Sequence, residues 1–192
     1  MIKKVLLGII AIFIFVFTFA NIAEAASTNT SAKKVTPPWD KKIIKVYVPQ
    51  DTNAAAMKNA FGKWQTVSSG KIQFQYVPKD KADITVEFTD KAEGLESKLG
   101  GYSVGSTDGK KKATIKIASK SPAAKKYSKN YMYITMLHQV GHVLGLPDNS
   151  TKPTSIMYMP ISEKQSVLKI DVRKLYSTYG WSYANRNMPS QR

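Results

Sequence analysis

The chain has 192 residues, no cysteine, two histidines and a formal net charge of +16. That length allows one domain with a proper core; without cysteine there can be no disulfide, no thiol cap on a metal and no lipid on a cysteine. The charge favours anionic partners such as wall polymers, lipid headgroups or acidic proteins. No nucleic-acid motif accompanies it, and the lysines are spread as on a solvated cationic surface.

In chain order, Lys3 and Lys4 precede an apolar run from Val5 to Ala20, followed by Ala23-Glu24-Ala25. This is the layout of a secretory signal peptide, residues 1–25, cut after Ala25. The run is shorter than the roughly 20 apolar residues of a spanning helix. The expected location is extracellular, free or held at the cell surface. Residues 26–38 read as a flexible lead-in ending in Pro37-Pro38. Ile43 to Val48 predicts a strand stopped by Pro49. Asp51 or Thr52 can cap a helix whose apolar face is Ala56, Ala60, Phe61 and Trp64. Lys71 to Val77 alternates, with Ile72, Phe74 and Tyr76 on one face, and Ala82 to Phe88 is a third strand.

Leu99 to Val104 predicts a further strand, Ser106 to Lys112 a turn around Asp108-Gly109, and Ala113 to Ala118 the return. A helix from about Lys129 to Leu144 stops at Gly145. "PTSIMYMP" reads as a turn, and Asp171 to Tyr179 as a closing helix with Val172, Leu175 and Tyr176 inward, ended by Gly180. The order implies one α+β domain over residues 39–183, a sheet packed with about three helices, and a tail over 184–192.

The segment "HQVGHVLGLPD" contains both histidines. Residues four apart share a helix face, so His138 and His142 can offer two imidazoles to one ion. Gly145 permits a sharp turn that brings Asp148 round as a third ligand. Three protein ligands leave one tetrahedral position open, the layout of a catalytic zinc site. One zinc ion is expected.

This segment resembles the metzincin signature H-E-x-x-H-x-x-G-x-x-H with its methionine turn. Similarity to the matrixin branch runs from about Trp39 to Trp181. "AFGKWQTVSSGKIQF" resembles the first helix and second strand, and "ADITVEF" the third strand. "GGYSVG" is similar to the edge strand along which matrixins bind substrate. "SIMY" resembles the methionine turn, with Met157 beneath the metal, and "IDVRKLYSTYG" the closing helix. The resemblance implies a twisted mixed sheet and a secreted zinc metalloendopeptidase acting, as a monomer, on extended peptides or proteins. Gly101, Tyr102, Tyr158 and Pro160 are the substrate-binding candidates it implies.

Two positions depart from the family. Asp148 stands where matrixins have a third histidine, as in the similar snapalysin branch with its G-L-P-D ending. Gln139 stands where the family's glutamate takes a proton from water at the metal. An amide cannot take it, and such a base is worth about 10²–10⁴ in rate. The resemblance therefore implies weak or absent hydrolysis, or a zinc-bearing pseudoprotease that binds peptides or anionic surface polymers. Position 139, next to a ligand, is expected to face the metal and not the core. Glu87, Glu93, Glu96 and Glu163 are tied to the metal by no spacing. Without a third histidine the family's second zinc site cannot form, and Asp108-Gly109 leaves calcium undecided.

Overall fold

A computed structural model describes residues 39–92, 94–148 and 151–183. The expected signal peptide with its cleavage site, the expected lead-in, Glu93 and the tail lie outside the described residues. Among the described residues no helix is long and apolar enough to cross a membrane.

Five strands form one mixed sheet: β1 (Ile43–Tyr47), β2 (Gln73–Tyr76), β3 (Ile84–Phe88), β4 (Gly100–Thr107) and β5 (Lys110–Ile117). Their order is β2-β1-β3-β5-β4, parallel except for the antiparallel β4–β5 pair. Period-two alternation sends Ile44, Val46, Ile84, Val86, Ile115 and Ile117 into the core. Each buried aliphatic side chain of this kind contributes about 1.5–3 kcal/mol. The same core takes Met57, Phe61 and Trp64 from α1 (Ala54–Val67), most of α2 (Lys129–Val143), and Val172 and Leu175 from α3 (Lys169–Thr178). This is the expected α+β architecture with three helices.

Three local boundaries differ from the sequence reading. The β4–β5 turn is two residues long, not seven: Asp108 and Gly109 both have positive φ, 51° and 70°. That pair makes a type I′ turn, whose twist matches the strands it joins. Lys110 to Lys112 therefore continue the ladder as exposed strand residues. β2 begins after Ile72, which is buried, and Tyr76 at its end is 44% exposed, because β2 is the outer strand. The third helix starts at Lys169, and Asp171 lies within its first turn, where Oδ2 accepts the Leu168 N–H at 2.8 Å. A carboxylate there satisfies a free donor and complements the helix dipole.

Gly100 sets how closely the edge strand lies on α2. A Cβ at residue 100 would come within 2.6 Å of Thr135 Cγ2 and 3.0 Å of Gln139 Cγ. Thr135 is buried and β-branched, so it has little room to turn aside. β4 therefore rests directly on the helix that bears the histidines.

Candidate metal centre

Helix α2 is held from both ends of the motif. The Trp64 indole donates to the Leu137 carbonyl at 2.8 Å, one residue before His138. The Trp39 indole donates to the Val143 carbonyl at 2.8 Å, one residue after His142. At the start of the helix the Ser128 hydroxyl accepts from Tyr131 N–H, the usual N-cap bond. Beyond Val143, Gly145 takes φ 90°, a conformation that suits glycine. The chain turns back there, the Gly145 N–H donates to the His142 carbonyl, and Asp148 comes round to the histidines.

The three expected ligands converge. His138 Nε2 and His142 Nε2 are 2.8 Å apart, and Asp148 Oδ1 is 3.5 Å from the first and 3.4 Å from the second. The ligand atoms of His138, His142 and Asp148 all lie within 4.8 Å of one another, the one such group among the described residues. Both rings are fixed from behind: His138 Nδ1 donates to Ile156 O at 2.7 Å and His142 Nδ1 to Leu146 O at 2.9 Å. A carbonyl can only accept, so each Nδ1 carries the proton and each neutral Nε2 presents a lone pair. Burial, and then the facing imidazole, holds the His138 pKa below its ordinary value; burial does the same for His142. Two lone pairs and a carboxylate oxygen thus face one point with no donor between them. A cation fits that donor set, and a nitrogen–nitrogen–oxygen set suits zinc. Donors about 2.0–2.1 Å from a tetrahedral ion lie about 3.3–3.4 Å apart. The carboxylate distances match this spacing, and the imidazoles would need to part by about 0.5 Å.

Met157 lies under the helix where the methionine turn was expected. It is buried, and a Cβ on Gly141 would collide with its sulfur. The Ser155 hydroxyl donates to Asp171 and accepts the Met157 N–H at 3.1 Å, which ties the turn to α3. Gln139 differs from expectation. Its side chain is wholly enclosed between α2 and β4, and neither amide atom has a hydrogen-bond partner among the described residues. The cause is the close approach permitted by Gly100, which spacing along the helix does not reveal.

The edge strand supplies the other wall. Tyr102 stacks on His142, centroids 4.6 Å apart and planes within 9°. Gly101 lies against the loop before β4: a Cβ there would be 3.1 Å from Glu96 N and 3.2 Å from Leu95 Cα. Tyr158 and Pro160 lie on the loop after the methionine turn, where Gln165 Nε2 donates to both carbonyls, at 2.7 and 3.1 Å. Of the other glutamates, Glu163 accepts from Ser128 at the far end of α2, and Glu87 faces Lys116 in the ladder. Among the described glutamates only Glu96 arrives at the site, its Oε2 3.4 Å from His142 Nε2. Burial, and then the charge of Asp148, pushes its pKa up. No sequence signal ties residue 96 to the histidines, because a non-local loop closure brings it in.

A family model described as matrixin matches residues 35–180. No curated protein matches the chain. Among solved structures the chain is similar to one described as the crystal structure of myroilysin, with 18% identity over 82% of this chain and 70% of that one and a TM-score of 0.37.

Proposed function

The chain belongs to the matrixin family of metallopeptidases, and on that premise we propose that it is a secreted, zinc-binding domain that takes up extended peptide and hydrolyses it poorly. One observation carries the metal assignment: with both Nδ1 protons committed to carbonyls, two imidazole lone pairs and the Asp148 carboxylate face a single point. Zinc held there would supply a Lewis acid that polarises a peptide carbonyl and makes water more acidic. His138, His142 and Asp148 would hold it, and their carbonyl partners would keep the rings aimed. β4 is an outer strand, so a peptide can add to its free edge by main-chain hydrogen bonds, with Tyr102 beside the metal residues. Gln139, an amide in the place of the family's glutamate, takes no proton, which favours slow turnover or binding without cleavage.

Metal analysis tests the assignment. The purified chain is expected to carry one zinc, and His142→Ala close to none; equal zinc in both would remove His142 from the ligand set. The same proposal has residues 1–25 removed on export, on the basic start, apolar run and Ala23-Glu24-Ala25 of the sequence. N-terminal sequencing of protein from culture medium should begin at Ala26, whereas recovery only in membranes with Met1 intact would make the run an anchor.

A further inference from the structure

We propose that Glu96 is a fourth ligand to the metal, delivered by the loop between β3 and β4 and closing the coordination position that a peptidase keeps open. The inference rests on the zinc assignment above and adds to it a residue outside the family's motif.

Distance is the first ground. Glu96 Oε2 lies 3.4 Å from His142 Nε2, the same separation as Asp148 Oδ1 from that nitrogen. Both match the spacing of two donors on one tetrahedral ion. Glu96 stands outside the compact group formed by the other three. To complete the set its carboxylate must turn toward His138 and Asp148 while keeping its approach to His142.

The second ground is that the loop is built to hold residue 96 where it is. The Ser97 N–H and hydroxyl both donate to Gly100 O, at 2.7 and 2.9 Å, and the Gly100 N–H donates to Ser97 Oγ at 2.9 Å. Leu99 is fully buried, and its carbonyl accepts the Ala118 N–H at 2.8 Å. Gly101 leaves only enough space for the Glu96 and Leu95 backbone to pass. The main chain is thus fastened to the start of β4, while the Glu96 side chain, 37% exposed, retains room to turn.

Charge is the third. The whole chain has 13 acidic residues against 29 basic ones, yet two carboxylates meet at this point. Two neutral imidazoles with two carboxylates exactly balance a divalent ion, whereas one carboxylate would leave a net positive charge beside a buried helix. Four protein ligands are the layout of a structural zinc site. A chain with Gln139 in place of the base gains little from an open position, so both departures point the same way.

The test compares the unaltered chain with Glu96→Gln and Glu96→Ala, using Ser103→Ala on β4 as a control. Zinc affinity is measured by competition with a chelating dye, and the cobalt-substituted proteins are compared by visible spectrum. Thermal melts of the metal-free proteins check that each is folded; Glu96→Gln, close in shape, guards against loss of the fold. Both Glu96 variants are expected to bind zinc at least about 10-fold more weakly, since even outer partners of ligands are worth about 10–100-fold. Their cobalt bands should shift, and Ser103→Ala should match the unaltered chain. Affinity within twofold and an unchanged cobalt spectrum would overturn the proposal; if hydrolysis alone fell, Glu96 would handle protons and not metal. Absence of zinc from every protein, the unaltered chain included, would instead overturn the metal assignment beneath it.

Discussion

Gln139→Glu is expected to raise peptide hydrolysis by the zinc-loaded chain about 10²–10⁴-fold, equivalent to about 2.7–5.4 kcal/mol of barrier. Glutamine and glutamate are nearly isosteric, so the exchange adds proton affinity while preserving shape. Full enclosure of residue 139 attaches a cost: a carboxylate would replace an amide with no partner among the described residues. Burying an uncompensated charge is expensive, so the metal-free variant should melt below the parent and recover when zinc binds. A ligand in the fourth position competes with a substrate carbonyl, so the gain should be larger when Glu96→Gln is combined with Gln139→Glu. Rates are measured across pH at equal zinc loading. A parent that already cleaves as fast as the Gln139→Glu variant would mean that another group acts as base. If no variant cleaves although all bind zinc, the chain is a binding module.

Chelation should destabilise the domain by an amount comparable to much of a small domain's total stability. Metal that binds only the folded chain stabilises it by about 4 kcal/mol when present at 1,000 times its dissociation constant. For a domain of this size that is a shift in melting temperature on the order of 10 °C. The physical source is local: without a cation, the lone pairs of His138 and His142 face each other at 2.8 Å beside the Asp148 oxygen. Calorimetry with and without chelator checks this, with His142→Ala as reference. The reference should show little shift, and a full shift in it would place the stabilising metal elsewhere.

The parts of the site that follow from short-range regularities were legible in the sequence. The i, i+4 histidine pair needs only a helix, and Gly145 with Asp148 needs only the turn that glycine permits. The strands that alternate strongly, such as Ile84 to Phe88, were equally clear. Glu96 was not, because it reaches His142 through a loop stapled by Ser97 and Gly100. The enclosure of Gln139 depends on a strand from another part of the chain lying on the helix, permitted by one missing Cβ. Asp108-Gly109 marks the turn in the sequence but not how far the strands run up to it, and an outer hairpin accepts lysines on its exposed positions.

The indole of Trp39 ties the first described residue of the chain to the last carbonyl of the metal-bearing helix, 104 positions away. Any trimming of the chain's N-terminal side therefore meets a boundary at that tryptophan. Cutting before it leaves the described domain whole. Cutting after it removes a ring that is 2% exposed, opens a cavity beside Val143 and frees the carbonyl that held that end of the helix. A truncation that takes Trp39 therefore loosens the far end of the helix that carries the histidines.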